Sequence, residues 1–475
     1  MKNKIILLLT FGLFLGYGCD KGFEELNTNP NEPVSVQSGL LAGDVIRVAS
    51  NTIYSTFVGG DMGSCWSQQF AKVQYNNEAR YIPRESIIES TWKNIYIGVI
   101  EGATDIQKVA IEENNEAMQG LGLVMQAYGF SLLTDMYGSI PFSEAIQPEN
   151  TLTPAYNTQE EVYNGVLAML DEANTLLGSG NGAILASSDI LYGGDASKWQ
   201  QFANSLKFRC LMRISAKKDV SSELQEIASN RNVFGSNDDE AKLIYLGADP
   251  NANPIYETVV FGTRAEWKVN TVLVDMLTGF NDPRLPVYAQ LNDAGEYRGK
   301  PSGYSVVPDT WNFTNVSAIG AAYLEAEAPG YFMSYAELQF LMAEAAEKGY
   351  ISGDAATYYN EAIYANFMSN GLSAEAYDAY IAQGNVAYSS SNGMERIGNQ
   401  KWLALFCQGV ESWTEQRRTG YPVLELAIDP APGVTTIPMR YTYPDIEQSV
   451  NSDNYNTAVN AQGEDLLTTK VWWMD

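Results

Sequence analysis

The chain has 475 residues, 45% of them hydrophobic, so it can bury a large core. Its 57 acidic and 29 basic side chains give a net charge of −28, which argues against binding to nucleic acid and to anionic lipid head groups. It contains no histidine, which excludes a Ser-His-Asp or Cys-His hydrolase and removes the usual zinc ligand.

The amino terminus has the pattern of a bacterial export signal. Two lysines precede the apolar run Ile5–Leu15, which is too short to cross a membrane as a stable anchor. Small residues then precede Cys19, an order that resembles the lipobox of bacterial lipoproteins, in which the cysteine is lipidated and begins the mature chain. We therefore expect a signal peptide at residues 1–18, lipidation of Cys19 and a lipidated tether over 19–35. The alternative is an ordinary secretory signal with an incidental cysteine.

Two helical patterns flank a loop-like stretch in the first quarter of the chain. Residues 36–58 and 85–113 show apolar positions at three- and four-residue steps, which predicts two helices. Residues 59–83 lie between them and are rich in glycine, amides and aromatic side chains. This composition predicts a long loop.

The most continuous helical pattern lies at Leu121–Met136. Apolar residues recur there at three- and four-residue steps, the opposite side is also apolar, and Asp135 is the one charged residue. A helix without a polar face is expected at the centre of a helical stack. Gly138 and Pro141 follow and are expected to end this helix.

Residues 235–330 differ from the rest, because proline, glycine, asparagine and tyrosine are frequent and helical periodicity is mostly lost. We predict irregular loops, short strands and one helix near Val269–Gly279. Two capping boxes, which mark the start of a helix, are predicted outside this segment. One is formed by Thr158 and Glu161 and the other by Ser334 and Glu337.

A pair of antiparallel helices is predicted after Ser334, over about 34 residues, which is the length of a tetratricopeptide unit. The sequence as a whole predicts one mostly α-helical domain over residues 36–475, with few short strands and an irregular insertion at about 235–330.

Several stretches, in the expected order along the chain, resemble the SusD/RagB family of nutrient-binding outer-membrane lipoproteins, in the branch called SusD-like 2. They are Phe23–Asn27, Tyr137–Ala145, Asn281–Leu285, Tyr331–Glu337, Glu411–Pro422 and Trp472–Trp473. The resemblance implies a SusD-like scaffold of tetratricopeptide-like helix pairs, with irregular insertions that build a ligand site.

The resemblance also implies a function. Such a protein is anchored in the outer membrane by its lipid, faces the cell exterior, and captures oligosaccharides or peptides. It passes them to a SusC-like TonB-dependent β-barrel transporter without cleaving them. We expect no cofactor, no metal and no catalytic residue.

The signature positions themselves are expected to be structural. Arg417 and Arg418 beside Glu411 and Glu415 indicate a network of ion pairs at a helix end. Asn281–Arg284 indicates a capped turn with its arginine paired inward.

Two segments outside the helices carry the residue types that bind a neutral sugar. Aromatic rings pack on the apolar faces of sugar rings, and amides and charged groups bond to hydroxyls. The first segment supplies Trp66, Gln68, Gln69, Tyr75, Asn76 and Tyr81, and the second supplies Arg264, Trp267, Tyr304 and Trp311. We expect the two segments to converge over the helical scaffold. The alternative is that the tryptophans only anchor these loops to the core.

Other functions stay open at this point. A surface glycoside hydrolase would need two carboxylates about 5–5.5 Å or about 6.5–9.5 Å apart, and no pair stands out in the sequence. A stack of helix pairs can also be a purely structural interaction module. For the ligand, the aromatic and amide-rich loops favour glycans, whereas the acidic charge favours cationic peptides.

Overall fold

Helices dominate the computed structural model, which describes residues 37–145 and 151–474. The predicted signal peptide, Cys19 and the tether lie outside these residues. The helices of eight residues or more are α1 Ser38–Tyr54, α2 Glu85–Lys93, α3 Gly102–Glu112, α4 Glu116–Tyr137, α5 Gln159–Gly178, α6 Ala196–Ile214, α7 Ser221–Asn230, α8 Thr271–Gly279, α9 Tyr335–Glu347, α10 Ala355–Ser369, α11 Ala374–Ile381, α12 Gly393–Ala404, α13 Gly409–Thr419 and α14 Ser452–Gln462. Shorter helical turns are Pro254–Tyr256, Leu285–Tyr288 and Asp445–Val450, and π-helical segments are Thr56–Ser64, Asn94–Glu101 and Glu257–Phe261.

Helix α4 is the centre of the stack, as its apolar pattern predicts. From Ala117 to Tyr137 every residue except Gln119 is buried. The helix packs against α3 on one side, α5 on the other, and also contacts α6. Asn115 caps its first turn by accepting a hydrogen bond from the Met118 amide. None of the described helices is long and apolar enough to cross a membrane.

Antiparallel pairs continue on both sides of α4. Helix α5 packs on α6, and α9 packs on α10 and α12. Thr158 and Glu161 form the predicted capping box at the start of α5. At the start of α9 only half of the predicted capping box is present. The Ser334 hydroxyl accepts a hydrogen bond from the Glu337 amide, as predicted. The Glu337 carboxylate does not bond back to Ser334 but pairs with Arg209.

The stretch 59–83 is only partly the loop that its composition predicts. It begins inside the π-helical segment Thr56–Ser64, which packs against α13. A Cβ atom added to Gly409 would lie 1.9 Å from the carbonyl oxygen of Gly59, so the two backbones can approach closely because residue 409 is glycine. The glycines therefore serve helix packing here rather than loop flexibility.

Three small antiparallel ladders join distant segments. Strand β1 (Phe70–Lys72) pairs with β5 (Trp267–Val269), β2 (Ile140–Pro141) with β3 (Tyr156–Asn157), and β4 (Ala241–Leu243) with β6 (Gly330–Met333). The segment 235–330 is irregular with short strands, as predicted, and α8 is the predicted helix. The mostly helical fold class is confirmed.

The signature residues are mainly structural. Arg284 is fully buried and pairs with Asp282 at 2.6 Å, as predicted. Arg418 pairs with Glu415 on its own helix but also with Glu344 on α9.

Arg417 departs from the predicted ion-pair network. Its guanidinium stacks on the Trp413 ring at 3.6 Å and donates hydrogen bonds to the backbone oxygen of Asp135. The acids assigned to it, Glu411 and Glu415, pair with Arg213 of α6. The network therefore links helices to one another instead of closing one helix end.

Candidate ligand-binding site

The two predicted loop segments lie side by side. Strand β1 belongs to the first and β5 to the second, and Phe70 pairs with Val269 in their ladder. Beyond the ladder, the Val73 amide donates to the Glu266 oxygen at 3.0 Å, and the Asn270 amide donates to the Gln69 oxygen at 2.9 Å. The backbone thus brings together residues that are far apart in sequence.

Five of the ten predicted ligand residues are buried, and their expected contact with a ligand must be corrected. They are Trp66, Gln68, Gln69, Tyr81 and Trp267. Each has a hydrogen-bond partner inside the protein, so these side chains anchor the loops to the core, which is the alternative considered above.

The contacts of the buried set show how this anchoring works. The Trp66 indole donates to the Glu78 oxygen at 2.9 Å, and its ring packs edge-on against Trp413. The Gln69 amide donates to the Trp402 oxygen at 2.7 Å, while the Gln68 amide donates to the backbone of Glu425.

A buried cluster of charges lies beneath these loops. The Trp267 indole donates to Asp61 Oδ1 at 2.7 Å, and Lys72 Nζ lies 2.9 Å from the same carboxylate. Burial raises the pKa of Asp61 to about 6, although Lys72 acts in the opposite direction. Arg84 pairs with Asp61 at 2.8 Å and completes the cluster. Because these charges are paired, the cluster supports the loops from below.

The remaining predicted residues reach the surface in separate groups. In the first group, the Arg264 guanidinium lies 5.8 Å from the ring centroid of Tyr75 and 5.3 Å from that of Phe57. Tyr75 is 62% exposed, and Arg264 also pairs with Glu266. We call Phe57, Tyr75 and Arg264 the first cluster.

Three further aromatic residues of the second segment, Tyr304, Trp311 and Phe313, are here called the second cluster because they come from one short stretch of sequence. Each ring has a cation behind it: Arg298 lies 4.2 Å from the Trp311 centroid, Lys300 5.1 Å from Tyr304, and Lys268 5.7 Å from Phe313. Such cation–aromatic contacts fix a ring in place and leave its other face available.

The basic residues of the second cluster are themselves well ordered. Burial lowers the pKa of Lys300 to about 8, and its ammonium donates to the Pro301 oxygen at 2.9 Å. Arg298 beside Trp311 is half-buried, whereas Lys300 beside Tyr304 is fully buried.

Three predicted residues of the first segment have an unusual backbone. Gln68, Tyr75 and Tyr81 adopt left-handed φ angles of 57°, 55° and 67°. Residues other than glycine rarely take this conformation, and it concentrates at functional sites. Asn76 follows Tyr75, is half-buried, and its Oδ1 atom is buried without a hydrogen-bond partner among the described residues.

Sequence reasoning missed Phe57, Phe313 and the three basic residues behind the second cluster. Phe57 follows a helix and precedes glycines, so it could have been assigned to the loop surface. The basic residues carry no signal of their own, because only the fold places them behind aromatic rings. In the described part of the chain, no group of acidic residues or cysteines is arranged to hold a metal ion.

Comparison with known proteins identifies relatives of this architecture. A chitin-binding protein has 27% identity and a TM-score of 0.81, over 92% of this chain and 99% of its own. A chitin-binding SusD homolog from Flavobacterium johnsoniae has 26% identity and a TM-score of 0.80, over 91% and 98% of the two chains. A SusD homolog from Bacteroides uniformis has 26% identity and a TM-score of 0.80, over 92% and 99%.

A search of curated proteins finds no match. The family model SusD-like 2, described as starch-binding and associating with the outer membrane, matches residues 30–444. Because this match covers most of the chain, and the solved structures of SusD homologs share its fold, the resemblance is confirmed and the chain belongs to the SusD-like 2 family.

Proposed function

We propose that this protein captures uncharged oligosaccharides at the cell surface and passes them, uncleaved, to a SusC-like TonB-dependent transporter. The observation that carries the proposal is the second cluster, in which the half-exposed ring of Trp311 lies over Arg298 and the half-exposed ring of Tyr304 lies over the buried Lys300. Rings held in this way are flat, rigid and partly exposed, so a sugar ring can stack on them at little entropic cost.

The relatives favour a glycan over a peptide. Two similar structures are named as chitin-binding, and the family description names starch; both are uncharged polysaccharides. Exposed aromatic and amide side chains suit such ligands. The net charge alone would favour cationic peptides, so a peptide panel belongs in the test.

Binding without cleavage agrees with the charges at the loop surface. Glycoside hydrolysis needs two carboxylates that face each other across the scissile bond. Glu266, the acid that contacts the first cluster, is held by Arg264 instead. Incubation with labelled oligosaccharides should therefore yield no shorter products, and any enzyme-dependent product would contradict the proposal.

The sequence and the family support the proposed lipid anchor and transporter partner. Cys19 would carry the lipid, which would tether the protein to the outer membrane with residues 36–475 outside the cell. Affinity purification of the tagged, lipidated protein from outer membranes should recover a large β-barrel protein, and a Cys19→Ala variant should lose membrane association.

The binding surface is tested by calorimetry with chito-oligosaccharides, malto-oligosaccharides and short peptides. We expect the mature protein to bind a glycan, and the Trp311→Ala, Tyr304→Ala double variant to bind it about tenfold more weakly. Tyr350→Ala is the matched control, because Tyr350 also lies over a lysine, Lys348, at 5.9 Å but outside both loops. Binding of peptides alone, or an unchanged affinity in the double variant, would overturn the assignment.

A further inference from the structure

A separate cavity of about 270 Å³ lies away from both clusters. It is enclosed by the end of α10, by the turn between α12 and α13, and by the irregular segment 322–331. None of the ten predicted ligand residues lines it. Pockets for drug-sized ligands measure about 300–1,000 Å³, so this one suits a slightly smaller molecule, of the size of one sugar ring.

One wall of the cavity is aromatic. Tyr54, Tyr323, Tyr331 and Phe406 line it. Phe406 is fixed between two other rings, stacked on Tyr288 at 4.4 Å and edge-on to Tyr323 at 4.9 Å. Its orientation is therefore set by the protein before any ligand arrives, as a stacking surface requires.

Polar groups also line the cavity, and two of them have a hydrogen-bond donor without a partner among the described residues. Asn370 accepts a hydrogen bond from the Tyr323 hydroxyl and is occupied. Gln408, in contrast, is half-buried, and its side-chain amide bonds to none of the described residues. The Tyr54 hydroxyl accepts from the Tyr331 amide at 2.7 Å, which leaves its own proton available for another acceptor.

The cavity offers no free charge. Glu240 is the one acidic residue among the described lining residues, and it is neutralised by Lys242 at 3.0 Å and by the Tyr335 amide. A charged ligand would find no partner there and would lose its hydration. A neutral ligand with hydroxyl groups would lose little, because the free amide and hydroxyl replace water.

The backbone at the base of the cavity is strained. Cys407, which lines it, has a left-handed φ of 64°, unusual for a residue with a side chain. This conformation immediately precedes Gln408. Behind Gln408 lies a second void of about 20 Å³, large enough for one water, that reaches Arg209 and Glu411. Strain of this kind is retained where it positions a functional group.

We propose that this cavity binds one uncharged pyranose ring, stacked on the aromatic wall and hydrogen-bonded to the Gln408 amide and the Tyr54 hydroxyl. The ring is a free monosaccharide or the end of a short chain. The site is distinct from the surface formed by the two loop clusters and does not depend on it.

The test introduces a large side chain at the edge of the cavity. Ala321 and Ala322 are neighbouring exposed residues of one short helical turn, but only Ala322 lines the cavity. Ligand-observed NMR with glucose, N-acetylglucosamine and galactose should detect saturable binding to the mature protein. Ala322→Trp should weaken it at least about tenfold by occupying the space, whereas Ala321→Trp should leave it unchanged. Gln408→Leu should weaken it about fivefold to tenfold by removing the amide.

The outcomes separate this site from the loop surface. If a trisaccharide of the same sugar competes with the monosaccharide, the ligand is the end of a chain. If only the monosaccharide binds, the ligand is a free sugar. Both results support sugar binding in the cavity. Absence of monosaccharide binding, binding of free amino acids instead, or full binding in Ala322→Trp would overturn it. Loss of monosaccharide binding in the Trp311→Ala, Tyr304→Ala variant, with Ala322→Trp unaffected, would place the sugar on the second cluster and also overturn it.

Discussion

Arg213 on α6 lies 3.2 Å from Asp135 on α4, measured from Nε to Oδ2, and both side chains are buried. The same carboxylate accepts hydrogen bonds from the Tyr163 hydroxyl at 2.5 Å and the Trp473 indole at 2.9 Å. The one buried charge of the central helix thus ties α4 to α5, α6 and the end of the chain. Burial raises the pKa of Asp135, and Arg213 opposes this change.

Asp135→Ala should therefore destabilise the protein strongly. Arg213 would keep its pairs with Glu411 and Glu415, but the buried Tyr163 hydroxyl and Trp473 indole would lose their acceptor. Each buried donor left without a partner costs about 1–3 kcal/mol in the free energy of unfolding. Urea denaturation measures this loss. Asp105→Ala, at an exposed position on α3, is the control and should change the free energy of unfolding by less than about 0.5 kcal/mol. Equal effects of the two substitutions would contradict the structural role of Asp135.

The Glu344–Arg418 ion pair makes stability depend on pH in acid. Burial would raise the pKa of Glu344, but Arg418 and Lys348 lower it from 4.5 to about 2. The folded state then binds the proton less tightly than the unfolded state. The pair's contribution is therefore complete above pH 4.5 and lost as the pH falls towards 2, a change of about 3 kcal/mol.

This acid dependence is measured by denaturation midpoints from pH 5, just above the window that the two pKa values define, down to pH 2.5 inside it. Glu344→Gln should be less stable than the native protein at pH 5 and should show a shallower loss below it. Identical slopes in the two proteins would rule out this pair as a source of the acid sensitivity.

The close approach of Gly409 and Gly59 predicts an intolerance of any side chain at that contact. In Gly409→Ala, the new methyl group would meet the Gly59 carbonyl oxygen at 1.9 Å, and the π-helical segment would have to move. We expect a loss of at least about 2 kcal/mol, visible as a lowered melting temperature. Gly279→Ala is the matched control, because nothing lies within 4 Å of the added Cβ atom. A similar loss of stability in this variant would show that the effect does not come from the contact with Gly59.

Lys300 should lose its proton near pH 8. Burial lowers its pKa from 10.5 to about 8, so the folded state binds this proton less tightly than the unfolded state. Its contribution to stability should accordingly rise between pH 8 and pH 10.5. NMR titration of lysine side chains, with Lys300→Arg to assign the signal, measures the value directly. A Lys300 signal that does not change below pH 10 would refute the shift.

Patterns along single elements were predictable, whereas relations between distant elements were not. Helix α4 is apolar on all sides, and this alone placed it at the centre. Glu337 has the spacing of a capping residue, but a buried arginine on α6 competes for its carboxylate, which no local pattern reveals. The glycines near Gly59 have the composition of a loop, yet tertiary packing holds them in a helical segment.

The candidate site illustrates the same limit. Trp66 and Trp311 have similar neighbours in sequence, namely amide residues and either glycine or asparagine. Trp66 is nevertheless fully buried, whereas Trp311 reaches the surface. Which aromatic residue faces the solvent depends on β1 and β5, and their pairing cannot be predicted from strands of three residues. The cavity walls come from several separate stretches, so no single stretch could indicate them.

The ladder between β1 and β5 also has a consequence for the order of assembly. It joins Phe70 to Val269, which lie about 200 residues apart, through only three residue pairs. Contacts at such separation form slowly, because the intervening chain must first be confined. The two segments that carry the proposed binding surface are therefore expected to come together late in folding.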